Sequence, residues 1–92
     1  MTIKGKGKLY KISIKNSAEK DIDRINEPYL GKIMNEIEIL GNNPRNEKVK
    51  KLVGKTDEYR LKVGKYRILF YIIEDEKAVK IARVLLRKEA YR

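Results

Sequence analysis

Cysteine and histidine are both absent from this 92-residue chain. Without cysteine there can be no disulfide, thiol nucleophile or thiolate metal site, and a small domain that folds without such staples suits a reducing compartment. The lack of histidine removes the usual general base, the commonest metal ligand and every Ser-His or Cys-His nucleophile. A metal would have to be held by carboxylates. The acids, however, fall mostly in helix-forming segments and in Glu74-Asp75-Glu76, with no metal-loop spacing, so no metal site and no cofactor are expected. Long apolar runs are missing as well. The longest, Ile68 to Ile73, is far too short to cross a bilayer, and the basic first fifteen residues lack the apolar core of a secretory signal. These absences predict a soluble, cytoplasmic protein with no membrane partner.

Positive charge is abundant. Lys and Arg number 23 against 13 Asp and Glu, a formal charge of +10, and residues 44–67 alone hold nine bases and three acids. A solvated face is enough to explain the N-terminal Lys4, Lys6, Lys8, Lys11 series. The 44–67 block differs, because part of its charge falls on one face of a strand pair. Tyr59-Arg60-Leu61-Lys62-Val63 and Tyr66-Arg67-Ile68-Leu69-Phe70-Tyr71 both alternate, and the Gly64-Lys65 between them signals a two-residue hairpin with positive φ at its first position. Pairing across that turn sets Val63 opposite Tyr66, Lys62 opposite Arg67, Leu61 opposite Ile68 and Tyr59 opposite Phe70. One face is then apolar, and the other gathers Arg60, Lys62 and Arg67. Like charges opposite one another cost a few tenths to about 1 kcal/mol per pair. A bound anion would offset that cost, and a polyanion, most simply nucleic acid, is the leading class of partner.

The remaining chain supplies one domain, residues 1–92, with a single modest core. Residues 1–8, rich in glycine and lysine, read as a flexible basic tail. Tyr10, Ile12 and Ile14 alternate with polar residues as a first strand. Asn16-Ser17 then caps a short helix with Ala18, Ile22 and Ile25 on one face. Pro28 opens a second helix, with Leu30, Ile33, Ile37 and Leu40 inward, and Gly41 to Pro44 ends it. Gly31 inside that helix costs about 1 kcal/mol relative to alanine unless it marks a close helix contact. No period holds from Arg45 to Asp57, where Lys48, Lys50, Lys51 and Lys55 crowd what reads as a basic loop. After the hairpin, a turn at Asp75 to Lys77 leads into a last strand, Val79 to Leu85. The predicted class is α+β: a four-stranded antiparallel sheet made of the N-terminal strand and a three-stranded meander, with two helices on one face (β-α-α-β-β-β).

The other sheet face, left uncovered, carries the cations together with Leu69, Tyr71 and Ile73. Exposed apolar groups of that kind mark an interaction surface unless the C-terminal segment folds back over them. A protein partner could cover them, or bases could stack on Tyr71. The antiparallel order also returns Arg87 and Tyr91 towards Arg60, Lys62 and Arg67. Such a set can cleave RNA without metal: the ribose 2′-OH attacks its own phosphate in line, and fixed cations stabilise the developing charge. Clustered cations push down the pKa of a neighbouring lysine or tyrosine, so Lys62 or Tyr91 is a conceivable base.

Lys50-Lys51-Leu52-Val53-Gly54, the run from Tyr59 to Tyr71, the acidic turn from Glu74 to Lys77 and the closing Arg87-Lys88-Glu89-Ala90-Tyr91-Arg92 resemble the RelE/ParE toxin superfamily, closest to its RelE branch. The resemblance covers nearly the whole chain. It implies the toxin of a type II toxin–antitoxin system, a ribosome-dependent and metal-independent endoribonuclease that cuts mRNA in the A site and stops translation. It further implies a small acidic RelB-like antitoxin in a heterodimer or heterotetramer, seated on Leu69, Tyr71 and Ile73. The matching positions imply phosphate and transition-state binding by Arg60, Lys62, Arg67 and Arg87, with Tyr91 or Lys62 moving the proton. Lys48, Lys50, Lys51, Lys55, Lys65 and Tyr71 are the expected further RNA contacts. Leu85-Leu86 stand where many relatives carry Gly-His or Gly-Lys, which removes one candidate catalytic side chain. Two other readings compete: a ParE-like poison of DNA gyrase on the same fold, and a non-catalytic RNA-binding module.

Overall fold

The computed structural model describes residues 2–3, 9–54 and 57–90. In chain order they form β1 (Thr2–Ile3), β2 (Lys11–Ile14), α1 (Asn16–Asp23), α2 (Tyr29–Leu40), β3 (Val49–Lys51), β4 (Glu58–Val63) and β5 (Tyr66–Ile73). A 3-10 turn (Glu74–Glu76), β6 (Ala78–Leu86) and the short α3 (Arg87–Ala90) follow. The expected α+β class holds, with α1 and α2 between the first part of the sheet and its meander. The strands lie in the order β1-β2-β6-β5-β4-β3.

The β4–β5 hairpin has the register that alternation predicts, with Val63 opposite Tyr66, Lys62 opposite Arg67, Leu61 opposite Ile68 and Tyr59 opposite Phe70. Gly64 makes the turn at φ +59°, and a Cβ there would also meet the Tyr29 ring at 3.2 Å. Other L-residues adopt a positive φ only at a cost, so glycine is favoured on two counts.

The sheet departs from four antiparallel strands in two respects. β2 runs parallel to β6, Ile12 beside Val79 and Ile14 beside Ile81. Parallel neighbours need a long crossover, and everything between them in the chain provides it. Short strands also extend both edges. Thr2–Ile3 pair with β2, inside the stretch expected as a tail, whose other residues lie outside the described ones. β3 pairs antiparallel with β4 inside the stretch expected as a loop. Three residues are too few to show a period, and β3 gains its conformation from the open backbone edge of β4.

Ile12, Ile33, Ile37, Leu40, Leu61, Ile68, Val79 and Ile81 are fully buried between the sheet and the helices. Each such side chain contributes about 1.5–3 kcal/mol. α2 presents Ile33, Ile37 and Leu40 as its periodicity predicts, while Leu30 is only partly buried. The glycine in that helix has a local cause. Its N–H donates to the Glu27 carboxylate, which a Cβ would crowd at 3.0 Å, so the close approach is to a side chain rather than to another helix.

α1 replaces β2 along the edge of β6. Where β2 stops, the Lys15 N–H donates to Ile81 O at 2.9 Å and the Ser17 hydroxyl to Ala82 O at 2.8 Å. Asp21 Oδ2 then accepts from the Val84 N–H at 2.9 Å and from Arg83 Nε at 2.8 Å. Asn16-Ser17 is the expected N-cap, but both residues lie inside α1, which Lys15 precedes without a side-chain cap, and Ser17 has another role. Its hydroxyl instead satisfies a strand carbonyl that would otherwise lack a partner.

β5 and β6 pair with one irregularity. Ile72 faces Val79 and Phe70 faces Ile81, but Leu69 faces Arg83, so Ala82 is an extra residue opposite no partner. This bulge reverses the phase of β6. Ile81 and Val84, three apart, both reach the core, and Arg83 and Leu85 lie with Leu69 and Arg67 on the other face.

Candidate nucleic-acid interface

Alternation along β4 and β5 delivers Arg60, Lys62 and Arg67 to the face away from α2, and three neighbouring segments complete the set. Lys50 of β3 lies directly across from Arg60. Leu85 of β6 flanks Arg67 on the side opposite Lys62. Arg87 opens α3, its N–H bonded to Lys65 O at 2.8 Å. That bond ties the end of β6 to the hairpin turn and brings Arg87 beside the cations.

The electrostatics report how close these groups are. The Lys62 ammonium is held below the usual lysine range first by Arg87, then by Arg67, with Arg60 and Lys50 adding to the effect. Neighbouring positive charge disfavours one more. Arg67 is pushed down as well, chiefly by burial and then by Arg60 and Arg87. It is only 1% exposed, the only charged residue buried to that degree among those described. The Nε of Arg60 is also buried, with no hydrogen-bond partner among the described residues. The structure thus brings together Arg60, Lys62, Arg67 and Arg87, while Tyr91 lies outside the described residues.

The wider set of expected RNA contacts divides by position. Lys50 joins the cation face. Lys51 is opposite Tyr59 and by register belongs to the reverse face. Lys48 reaches the α2 carboxylate of Glu36 at 3.2 Å, and Lys65 lies over the Tyr29 and Tyr66 rings at 5.0 and 5.9 Å. Lys55 is outside the described residues. Leu69, Tyr71 and Ile73 are half-buried on the cation face, as alternation predicts. The Tyr71 hydroxyl donates to Glu58 Oε1 at 2.8 Å, and that bond, followed by burial, raises its pKa. Sequence reasoning missed three features: the strand that seats Lys50, the burial of Arg67, and the carboxylate of Glu58 on this face. Only the last had a signal, since Glu58 falls in phase with Arg60 and Lys62.

Two cations that share a buried or half-buried face with Lys62 and Arg87 are costly to hold empty. Phosphate is the matching ligand: guanidinium forks donate paired hydrogen bonds to its oxygens, and a lysine with a lowered pKa gives up its proton more readily.

Residues 12–91 match the family model of the ParE toxin of the type II toxin–antitoxin system parDE. A protein of Methanocaldococcus jannaschii named RelE1 is 29% identical over 86 residues, covering 90% of this chain and 96% of its own. Among solved structures, the archaeal RelE–RelB complex of Pyrococcus horikoshii OT3 contains a chain 26% identical, with TM-score 0.76, covering 86% of this chain and 96% of that one. The RelB–RelE antitoxin–toxin complex of Methanococcus jannaschii contains another at 27% identity and TM-score 0.72, covering 85% and 93%.

Proposed function

This chain belongs to the ParE toxin family of type II toxin–antitoxin systems, and on that premise we propose that it arrests translation by cutting mRNA in the ribosomal A site, as a single toxin domain and without a metal. The observation that carries this reading is the convergence of Arg60, Lys62, Arg67 and Arg87 from three elements onto one sheet face. The 2′-hydroxyl attacks the adjacent phosphorus, the bond to the 5′-oxygen breaks, and the departing oxygen takes a proton. Arg60, Arg67 and Arg87 hold the phosphoryl oxygens as charge develops on them. Repulsion among these groups destabilises the empty site and is relieved when phosphate enters, so the arrangement favours the charged transition state.

Lys62 is the described group best suited to move a proton. Its neighbours lower its pKa, which raises the neutral fraction able to accept one. Tyr91 takes the second proton-transfer role implied by the family pattern. The relatives solved with RelB antitoxins support a small acidic partner for this chain too, in a heterodimer or heterotetramer. Its apolar side chains would cover Leu69, Tyr71 and Ile73, and its charge would meet the +10 of the chain.

Arg87→Ala is the cleanest test, because Arg87 is exposed at the start of α3 and its backbone bond to Lys65 survives the change. We expect transcript cutting to fall by about 100-fold or more, as when one fixed donor to a developing oxyanion is lost, with the thermal midpoint and antitoxin binding retained. Undiminished growth arrest would refute the nuclease reading. The name of the matched family favours one competitor, a poison of DNA gyrase on the same fold. Mapping transcript ends after induction, with and without translating ribosomes, separates the two: a gyrase poison leaves no new ends.

A further inference from the structure

Beside the cations, Leu52, Glu58, Leu69, Tyr71, Ala82 and Arg83 line a cavity of about 140 Å³. We propose that this cavity reads one nucleobase of a bound RNA strand, accepting a base with an exocyclic amino group (cytosine, adenine or guanine) against Glu58 and disfavouring uracil. The proposal rests on the RNA-cutting reading and adds the specificity that the cation set lacks.

The bulge creates the space. With Ala82 as the extra residue, β6 bends opposite Leu69, and the small Ala82 side chain lines the space that opens there. Arg83 turns its guanidinium away to Asp21, at 2.8 and 3.0 Å, so only its stem is left to form a wall. The cavity is well below the ~300–1,000 Å³ of sites that enclose a drug-sized ligand. It suits a single base.

Its polar equipment is specific. Glu58 is the one acid among the described β3–β6 residues that share the cation face, and the Tyr71 hydroxyl fixes it at 2.8 Å. A carboxylate works against phosphate binding, so it has another task there. Carboxylates accept hydrogen bonds from exocyclic amino groups, whereas uracil presents carbonyl oxygens on either side of its N–H. The Tyr71 ring and the Leu69 and Leu52 side chains supply the apolar and aromatic surfaces on which unpaired RNA bases stack.

Location connects the cavity to the cleavage site. Glu58 is two residues from Arg60 on the same face of β4, about 7 Å along the strand. A nucleotide whose phosphate lies among the cations therefore carries a neighbouring base over the cavity.

The test measures binding of purified toxin to short oligoribonucleotides that differ at one scanned position, by fluorescence anisotropy. For the wild type we expect one position at which C, A or G binds about fivefold or more tighter than U. Glu58→Gln should erase that preference, because an amide offers both a donor and an acceptor. Tyr71→Phe should weaken it by releasing Glu58, and Ala82→Leu should fill the cavity and abolish discrimination while phosphate-driven affinity remains. Equal affinity for all four bases at every position overturns the proposal, as does an unchanged preference in Glu58→Gln. If Ala82→Leu lowers antitoxin affinity and leaves RNA binding untouched, the cavity is a protein anchor and the proposal fails. Failure of the nuclease reading looks different: base discrimination in binding by a protein that cuts no transcript removes that reading and keeps the pocket. Cutting without base preference does the reverse.

Discussion

Arg67 is 1% exposed, and its neighbours Arg60 and Arg87 share its charge, so burial and repulsion both disfavour the guanidinium where it stands. An apolar side chain of similar volume would remove both the desolvation of the charge and its repulsion by Arg60 and Arg87. Arg67→Met should therefore raise the thermal midpoint of the free toxin, by about 4–8 °C if the gain is about 1 kcal/mol, while removing transcript cutting. A calorimetric scan paired with a cutting assay checks both halves. A lower midpoint would show that Arg67 is held by contacts worth more than its desolvation. Alternation placed Arg67 on the correct face but could not reveal its depth. Burial of a strand residue depends on what its cross-strand neighbours cover, and those neighbours include Leu85, whose phase is set by a bulge that no sequence period announces.

The element best read from sequence is the β4–β5 hairpin, because its turn chemistry and its two alternating runs point to one register. Gly64→Ala tests that link. A positive φ of +59° and a Tyr29 ring 3.2 Å from the new methyl group act together. We expect a loss of about 1–2 kcal/mol, read as a lower urea midpoint at unchanged slope. β3 and β2 were less legible, for opposite reasons. β3 is too short for its own residues to specify it, and it exists because β4 offers an edge. β2 was identified as a strand, but its direction relative to β6 is decided by the path of the whole intervening chain. Of the candidate site, the shared placement of Arg60, Lys62, Arg67 and Arg87 was legible from spacing and order, whereas the place of Lys50 beside Arg60 needed the edge strand.

Across the molecule, a charge network ties the end of the sheet remote from Arg87 to the loop after α2. Glu74 accepts from Lys77, from Arg45 at 2.8 Å and from the Tyr10 hydroxyl at 2.9 Å, and these bonds, Lys77 first, lower its pKa from 4.5 to about 2. A carboxylate with a depressed folded pKa contributes its full stability above its unfolded value and loses it as pH falls towards the folded one. The window is therefore about 4.5 down to about 2. Glu74→Gln should have a lower melting temperature than wild type at pH 6, and the gap should close by pH 2. A gap independent of pH would mean that the carboxylate charge is not what holds the network. The bulge at Ala82 carries a different consequence at this scale. Up to Ile81 the β6 residues in even positions face the cations, and from Arg83 onward the odd ones do. The strand is in effect two reading frames joined by one extra residue. Deleting Ala82 would set Arg83 directly after Ile81, still opposite Leu69 and with Val84 still in the core, and would remove only the bulge and the cavity wall it supplies. The bulge is thus a place in β6 where the loss of a residue keeps both frames, whereas a deletion within either run would shift part of that run out of phase.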